Sequence, residues 1–424
     1  MAPGRPGRDL TPEVSAAHRL GAELRRWRAE RGLTQGQLGE LLHHSAALIG
    51  KIEKADRRAS RDLCRRADEA LATGGRLTRL WLAAAQQTAR EDLLNLDRRP
   101  DNSERAAVEA TVPELRRVLD RLDLPDDGPT RPSDALAAAV AAATEHRLQG
   151  SYLELAANLP NLIEELARAT HLHRGEQQRY SFRMLTSALR AADAVAFKFG
   201  YHDLSGRLID VMRACCPAAE DPALDAAVAY VRTESFFVSG DLDTAARALA
   251  LAADDLTASH PRRRASAAQV AALGALHMRA AVVSARAGNR EAAIEHVGLT
   301  RLAAHRVDEG VYRGTAFGPA SLRIHELAVA AELGDPAGVE RAATWDPPAT
   351  LPAERRSHYH IELARAQAQL GHDEQAHSSL RAARLAAPVH TRNHPQVWAT
   401  ISALTAQGAS TTELRDLVEW IRAG

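Results

Sequence analysis

The sequence predicts an all-α protein, with an N-terminal five-helix domain followed by a right-handed solenoid of tetratricopeptide-like (TPR-like) helical repeats. The first observation is composition: hydrophobic residues make up 45% of the 424 residues but aromatic residues only 4%. The chain is rich in alanine, which favours closely packed helices. The second is a pair of short helical segments near the N-terminus, joined by a sharp turn. The third is a series of glycines that separate amphipathic segments at repeat-like intervals.

Four regions follow from these patterns. Residues 1–15 are rich in Pro and Gly and are expected to form a disordered tail. Residues 16–90 form the five-helix domain, called the head below. Residues 91–133 form a linker with a helix near 112–122, and its Pro- and Gly-containing end marks a boundary. Residues 134–424 form the solenoid, called the body below.

The head is organised around two short helices. The first, Gln35–Leu42, begins after Thr34, and the second, Ala46–Lys54, begins after Ser45, because Thr and Ser are preferred N-caps. Only a sharp turn fits between them. His43 stands at that turn where glycine is commonest, and histidine is one of the residues enriched at positive φ.

Apolar positions on these two helices are predicted to meet in one small core, with Gly39 at their closest approach. The predicted core residues are Leu38, Leu41, Leu48, Ile49 and Ile52. This is the helix-turn-helix arrangement, in which the second helix enters the major groove of DNA. Trp27 and Trp81 are expected to be core residues of the head and not DNA contacts.

The charge distribution agrees with contact to nucleic acid at one end of the chain. Residues 1–99 contain 19 Lys or Arg and 13 Asp or Glu, a net charge of +6, and because the whole chain is neutral the remainder carries −6. A basic head on an acidic body indicates that DNA contact is confined to the head.

The head resembles the XRE family, the phage-repressor-like regulators, over roughly residues 20–85. The residues that carry the resemblance are Gly32-Leu33-Thr34-Gln35, Leu38, Gly39, Ser45, Ile49, Lys51-Ile52-Glu53 and Arg57-Arg58. Residues 74–81, Gly-Gly-Arg-Leu-Thr-Arg-Leu-Trp, further resemble actinomycete regulators in which a TPR-like body follows this head.

The resemblance implies which residues meet DNA. Thr34 and Gln35 are expected at the phosphate backbone, where the amino end of a helix favours anions. The full expected set is Thr34, Gln35, Ser45, Ala46, Ala47, Leu48, Gly50, Lys51, Lys54, Arg57 and Arg58. Family members often carry Gln, Arg or Ser where this chain has Ala46 and Ala47, so Lys51 alone can hydrogen-bond a base edge. Arg57 and Arg58 can equally be solvated loop charges.

The repeat pattern is clearest from Ser357 onward. There Gly371 falls at the turn of a 34-residue TPR frame, with packing positions at Leu363, Ala364, Ala376, Leu380 and Ala383, and a stop at Pro388. The same frame on Gly288 finds Ala281 and Ala293, and on Gly240 it finds Ala245, Leu249 and Ala252. The match is poor around Gly200 and Gly334, and weak at Gly150.

The concave surface of such a solenoid suits a peptide or small ligand. The inward candidates are Arg190, Lys198, Tyr230, Glu234, Phe237, Met278, Arg286, His358, Arg365 and Gln369. Their cationic and aromatic groups suit a peptide carboxylate or an amphipathic metabolite. Alternatively they only line the solenoid or close it against itself. Peptide-pheromone receptors pair this type of head with a solenoid but clamp peptides with inward Asn, in which this body is poor.

The remaining residues argue against other functions. Cys64, Cys215 and Cys216 form neither a disulfide framework nor a zinc spacing, and no phosphate loop or catalytic nucleophile motif is found. We therefore expect no enzyme, no cofactor and no metal. The N-terminus lacks a signal region and no 18-residue apolar stretch is evident, which predicts a cytoplasmic protein without membrane contact.

Together these patterns predict a homodimeric, sequence-specific transcriptional regulator. It binds a double-stranded DNA operator through the head, and its body senses a small molecule or peptide. The alternative is an adaptor whose body binds a small partner protein while the head only attaches the complex to DNA.

Overall fold

The computed structural model describes residues 15–84, 103–259, 265–406 and 412–423. The predicted tail, except for residue 15, and part of the predicted linker lie outside the described residues. In the head the helices are α1 (Ala16–Glu30), α2 (Gln35–Leu42), α3 (Ala46–Glu53), α4 (Arg61–Leu71) and α5 (residues 76–84).

The next elements are α6 (Ser103–Asp120), α7 (Ser133–Gln149), α8 (Tyr152–Leu172), α9 (Gly175–Lys198), α10 (His202–Ala219), α11 (Pro222–Ser239), α12 (Leu242–Ala258), α13 (Ala267–Arg286), α14 (Arg290–Ala304), β1 (Gly310–Tyr312) and β2 (Thr315–Phe317). The last are α15 (Pro319–Leu333), α16 (Pro336–Ala343), α17 (Ala353–Leu370), α18 (Asp373–Ala386), α19 (Pro388–Asn393), α20 (Pro395–Ala406) and α21 (Thr412–Ala423). The predicted all-α class, with a five-helix head followed by helical repeats, is confirmed.

The chain divides into two compact units. The first comprises residues 1–100, 371–377 and 394–423, and the second comprises residues 101–370 and 378–393 together with residue 424. Within the first unit, Ala403 of α20 belongs to the apolar core of the head. The end of the chain therefore contributes to the same unit as the DNA-binding motif.

Both predicted N-caps of the motif helices are present. Thr34 Oγ1 accepts a hydrogen bond from Gln37 N at 3.2 Å, and Thr34 N donates to Gln37 Oε1 at 2.8 Å, which forms a capping box. Ser45 Oγ accepts from Leu48 N at 3.3 Å. Each cap satisfies one of the otherwise unpaired amides at a helix start, so the two helices begin where the sequence predicts.

The core of the motif differs from the prediction at one position. Leu38, Ile49 and Ile52 are buried as predicted, and Leu48 packs against them. Leu41, however, is 54% exposed, and Leu42 is fully buried in its place. Leu42 follows Leu38 by four residues and lies on the same helix face, whereas Leu41 turns toward solvent.

Two glycines allow the close helix packing. A Cβ atom at Gly39 would lie 2.6 Å from the carbonyl oxygen of His44, so only glycine fits beneath the turn. A Cβ atom at Gly21 of α1 would lie 2.7 Å from the carbonyl oxygen of Ile52 in α3. The recognition helix is thus pressed closely against α1.

The turn between α2 and α3 holds His43 in the left-handed region, at φ 57° and ψ 43°. Glycine adopts this conformation without a Cβ penalty, so we expect His43→Gly to stabilise the head by about 0.5–1 kcal/mol. Chemical denaturation of both proteins measures the difference. The matched control is His44→Gly, at a neighbour whose φ is not positive, which should destabilise the head. A loss of stability in His43→Gly would contradict this account.

Asp68 explains the Gly-Gly-Arg-Leu-Thr sequence after α4. Its buried carboxylate accepts hydrogen bonds from the backbone amides of Leu77 at 2.8 Å and Thr78 at 2.9 Å, as well as from the hydroxyl of Thr73. It therefore caps the start of α5. The indole of Trp81 donates to the carbonyl oxygen of Ala59 at 3.0 Å from a buried position, which makes this tryptophan a core residue of the head.

Helix α6 begins nine residues before the predicted start at Val112. Its apolar stripe, which includes Val108, Val112 and Leu115, is buried, and α6 packs against α8. Pro113 lies inside the helix and removes one backbone hydrogen bond. Burial of the stripe outweighs that loss. The segment 121–132 between α6 and α7 contains no regular helix.

The body is built from helix pairs, and a glycine in the left-handed region follows the first helix of each pair. These glycines have φ between 62° and 87°: Gly150, Gly200, Gly240, Gly288, Gly334 and Gly371. The turns at Gly200 and Gly334 are present although the repeat pattern is poor there. Glycine is favoured because L side chains are strained at these angles.

The first helices of successive pairs stack on one another and then close. Helix α11 contacts α13, α13 contacts α15, and α15 contacts α17. Helix α17 also contacts α7, where the array begins. The alternatives to ligand binding were that the inward residues only line the solenoid or close it against itself. The contact between α17 and α7 shows that the array closes.

A β-hairpin interrupts the body where only helices were predicted. Strand β1 pairs antiparallel with β2 around Arg313 and Gly314, whose φ values are 50° and 79°. Two consecutive positive φ values match a tight hairpin turn that suits twisted strands. Phe317 of β2 is fully buried, and it occupies the space that a Cβ atom at Gly274 would fill, 2.1 Å away.

Helix α13 corrects the expectation that no long apolar stretch exists. It is the one helix of the described residues long and apolar enough to cross a membrane, with a mean hydropathy of 1.2. However, 61% of the 18-residue apolar stretch in this helix is buried inside the protein. Burial of this kind is typical of a core helix, and Gln269, His277 and Arg279 interrupt its apolar sequence.

Candidate nucleic-acid interface

The exposed face of α3 is small and carries one charge. Ala46, Ala47 and Lys51 are exposed, whereas Leu48 is half-buried against the head core. Short alanine side chains leave the helix backbone accessible to a closely approaching ligand. This face of α3 is therefore shallow and can lie against the surface of a ligand. The side chain of Lys51 is its one long hydrogen-bond donor.

A buried ion pair fixes this helix on the rest of the head. Glu53 at the end of α3 is completely buried, and its carboxylate oxygens lie 2.5 Å from Nε and 3.0 Å from Nη2 of Arg28 in α1. Arg28 also donates through Nη1 to the carbonyl oxygen of Leu33 at 2.8 Å. Hydrogen bonding to Glu53 raises the pKa of Arg28. The bidentate geometry sets the orientation of α3 as well as its position.

Gln35 takes part in the same cluster. Its Nε2 donates to Glu53 Oε2 at 2.8 Å, so the side chain predicted to meet phosphate links α2 to α3. Gln35 also covers Gly50, where a Cβ atom would lie 3.0 Å from Gln35 Oε1. Glu53 and Arg28 were not predicted as part of the site, although Glu53 belongs to the Lys51-Ile52-Glu53 motif.

The other predicted DNA contacts lie around this face at the surface. Thr34 and Ser45 are exposed at the amino ends of α2 and α3. The other predicted contacts that carry a charge, Lys54, Arg57 and Arg58, are also exposed. The exposed Arg65 of α4 differs from them, since it pairs with Asp62 at 2.9 Å and with Glu69 at 2.7 Å.

The ligand candidates of the body fall into three groups, and the first joins α9 to α11. Arg190 lies 2.7 Å from the Asp193 carboxylate through Nη1 and 3.4 Å from Glu234 through Nη2. Burial, together with the charge of Glu234, raises the pKa of Asp193 to about 7. Ser205 donates to Asp193 at 2.6 Å. This group is a buried network with an acid that protonates near neutral pH.

The second group closes the array. Lys198 Nζ lies 2.9 Å from His390 Nε2 and 3.6 Å from Glu354 Oε1. Burial and the charge of Lys198 lower the pKa of His390 to about 4, so this ring is neutral near pH 7. Its Nδ1 lies 2.9 Å from Ser357 Oγ, and the ring of His358 lies 6.5 Å away.

The third group follows the inner helices from α11 to α17. The Arg286 guanidinium lies 4.2 Å from the Phe237 ring and 3.1 Å from Glu332. Arg365 shares that carboxylate at 3.3 Å and also pairs with Glu362 at 2.7 Å. Of the other candidates, Tyr230 is buried and Gln369 is half-buried. Met278 is 1% exposed in the apolar core. Met278 is covered because neighbouring helices surround α13.

Several residues of this inner surface were missed. Arg279 lies on the same face of α13 as the predicted Arg286, two helical turns earlier, and its guanidinium is 4.0 Å from the Tyr230 ring. The others are Arg147, His325, Glu354, Arg355 and His390. Helical periodicity could have indicated Arg279, whereas Glu354 and His390 depend on closure of the array.

Comparisons with known proteins found a similar solved structure and a matching family model. The chain is similar to the crystal structure of PlcR from Bacillus thuringiensis in complex with the peptide PapR7 and DNA, with a TM-score of 0.28 and 15% identity, over 68% of this chain and 94% of that chain. No curated protein matches. Residues 19–81 match the family model described as a helix-turn-helix domain, and the head is a domain of this type.

Proposed function

We propose that the protein is a sequence-specific, DNA-binding transcriptional regulator that places α3 in the major groove of its operator. The observation that carries this proposal is the exposed face of Ala46, Ala47 and Lys51, held in one orientation by the buried Arg28–Glu53 pair. A rigid helix with short exposed side chains can approach base edges closely. On the motif residues we assign the head to the XRE type found in actinomycetes.

The chemistry of α3 limits how bases are read. Lys51 can donate to a guanine edge, while Ala46 and Ala47 offer contact only to thymine methyl groups. Lys54, Arg57 and Arg58 are proposed to meet phosphates, together with the helix N-termini at Thr34 and Ser45. Much of the specificity then comes from DNA shape, which sequence-dependent deformability supplies.

The body is proposed to dimerise and to sense a small molecule or peptide. One head covers one half-site, so two heads about 34–36 Å apart are needed for a palindromic operator. The domain limits proposed from the sequence are 16–90 for the head and 134–424 for the body, whereas the compact units divide the chain at residue 100 and join residues 371–377 and 394–423 to the unit of the head. Such a regulator acts in the cytoplasm, where its DNA is.

One observation favours the alternative, an adaptor that binds a partner protein. The second helices of two pairs expose large apolar side chains, with Leu251 of α12 at 64% and Ile294 and Leu302 of α14 at 59% and 67%. Exposed apolar surface often marks protein interfaces. Co-purification of a stoichiometric partner, with no small molecule in native mass spectrometry, would support the adaptor.

The operator is found by capturing genomic DNA fragments with the purified full-length protein and sequencing them. Enrichment of one motif, reproduced by a labelled duplex in fluorescence anisotropy, supports the proposal. Recovery of random fragments, with affinity independent of sequence, would contradict it. The measured half-site spacing tests dimerisation directly.

Replacement of Lys51 by Ala is expected to weaken operator binding by about 1–3 kcal/mol and to relax specificity at a single base pair. The matched change Arg57→Ala, at a proposed phosphate contact, should weaken binding to all sequences. It should also reduce the steepness of the plot of log binding constant against log salt concentration by about 1. Anisotropy titrations against single-base operator variants at several salt concentrations separate the two effects. Equal affinity for all three proteins would remove α3 from the groove.

A further inference from the structure

The inner helices of the body carry charged side chains that are mostly buried but still partly accessible. Arg190, Lys198 and Glu354 keep 16%, 15% and 17% of their side-chain surface accessible. Burial nevertheless lowers the pKa of Lys198, which shows how little solvent reaches it. Their partial accessibility shows that these charged side chains border solvent-accessible space and are not packed core.

Two arginines of the inner helices have buried nitrogen atoms without a hydrogen-bond partner among the described residues. Within the described residues, neither Nε nor Nη2 of Arg355 has a hydrogen-bond partner, and both atoms are buried. The same holds for Nε of Arg279, whose guanidinium stacks over Tyr230 at 4.0 Å. Buried donors of charged groups are nearly always paired, so these atoms are available to pair with the oxygen atoms of a ligand.

The two arginines belong to α13 and α17, and both helices pack against α15. His325 of α15 is buried, and its Nδ1 lies 2.9 Å from the carbonyl oxygen of Ser321. The charges of Arg355 and Arg279, added to burial, hold the pKa of His325 well below its usual range. Arg355 acts on His358 in the same way. The helix that carries the neutral His325 thus packs against both helices that carry these cations.

Positive charge exceeds negative charge here. Among the described residues of this inner cluster the cations are Arg147, Arg190, Lys198, Arg279 and Arg355, and the acids are Asp193, Glu234 and Glu354. The surplus is two positive charges, and it grows when Asp193 is protonated. An added anion would compensate this surplus.

We propose that Arg279 and Arg355 form a binding site for the oxyanion, carboxylate or phosphate, of a small ligand inside the body. A guanidinium presents a planar fork of donors that matches two oxygens of such a group. The ring of Tyr230 and the neutral His325 bound the site and suit an aromatic or apolar substituent. This inference names the ligand class of the proposed sensor, and only its regulatory consequence rests on the proposed function.

The test uses the full-length protein and isothermal titration at constant ionic strength. The probes are benzoate, phenyl phosphate and inorganic phosphate, with benzamide as the neutral counterpart of benzoate. We expect saturable binding of at least one anion with benzamide inactive, and a comparison of benzoate with the phosphates separates the two oxyanions. Binding of benzamide as tightly as benzoate, or of no anion at millimolar concentration, would overturn the proposal.

Variants locate the site. Arg355→Met and Arg279→Lys should each weaken anion binding about tenfold or more, since each removes part of a charged donor fork. Because Arg355→Met also removes buried unpaired donors, it should raise the Tm of the ligand-free protein by about 2–4 °C. The control Arg213→Met, at an exposed arginine of α10, should change neither quantity. Unchanged binding in both inner variants would refute the assignment.

The anion site and the regulatory role can fail separately. Operator affinity is measured by anisotropy with and without a saturating bound anion. If the anion binds and operator affinity is unchanged, the sensing role is refuted while the site stands. If operator binding is normal but no anion binds, the site is refuted while DNA recognition stands.

Discussion

Substitution of Glu53 by Ala is expected to destabilise the head by about 3–5 kcal/mol and to abolish operator binding. The substitution leaves the guanidinium of Arg28, 15% exposed, without the carboxylate that it binds through two nitrogens. Gln35 loses its acceptor at the same time. A loss of this size is a large part of the stability of a small domain.

Hydrogen exchange of the full-length protein, followed by mass spectrometry, measures this effect locally. Protection should fall in α1, α2 and α3, while the inner helices of the body keep theirs. The control Glu40→Ala removes an exposed carboxylate of α2 and should leave protection and DNA binding unchanged. Wild-type protection of α3 in Glu53→Ala would show that the ion pair does not fix the recognition helix.

A double substitution separates the cost of an unpaired charge from the value of the pair. Replacing both Arg28 and Glu53 by Leu removes the charges together, and buried ion pairs replaced in this way are often neutral or more stable. We expect Arg28→Leu/Glu53→Leu to recover most of the stability lost in Glu53→Ala. If the double variant were as unstable as the single one, the pair itself would supply the stabilisation.

Local chemistry allowed much of the head to be predicted. Thr34, Ser45 and His43 stand at positions whose roles depend on neighbours one to three residues away, and all three adopt the predicted geometry. Leu41 and Leu42 could not be separated, because both lie near the apolar face and only packing against α3 and α4 decides between them. The Glu53 cluster was missed since its partner Arg28 lies 25 residues away.

The body shows the same limit on a larger scale. Glycines mark every turn of the described pairs because the left-handed backbone demands them locally. The inner network could not be derived this way. Lys198 and His390 meet across 192 residues, and that contact exists only because the helix array closes. The hairpin at Arg313 and Gly314 was overlooked because its strands are only three residues long.

Acidification from pH 7 to pH 5 is expected to destabilise the body by about 2 kcal/mol or more. Burial lowers the pKa of His277 and of His390 to about 4 from the ordinary 6.5. Between these values the unfolded chain binds protons that the folded chain does not, so stability rises with pH across this window and falls on acidification. Each of the two histidines contributes about 2 kcal/mol to the loss.

Other titratable groups also change the unfolding free energy between pH 7 and pH 5. The pKa values of His296, His325, His358 and His360 are also lowered by burial, which adds to the loss in acid. Asp193 acts oppositely, since its pKa is raised to about 7 and its protonation favours the folded state as the pH falls. It offsets about one histidine. The effect of the histidines is therefore larger than that of Asp193. Asp193→Asn should increase the loss of unfolding free energy between pH 7 and pH 5.

The pair of His277 and His296 gives the sharpest test. Their rings are stacked with centroids 5.4 Å apart, and their Nδ1 atoms lie 3.3 Å apart, so one ring donates and the other accepts only while a neutral ring remains. His277→Phe keeps the ring stacking but cannot be protonated. It should reduce the difference in unfolding free energy between pH 7 and pH 5 by about 2 kcal/mol, measured by urea denaturation at both pH values. The control His305→Phe, at an exposed position, should leave the difference unchanged. If the wild type were equally stable at both pH values, these histidines would have to be protonated in the folded protein, and the neutral state inferred for them would be wrong.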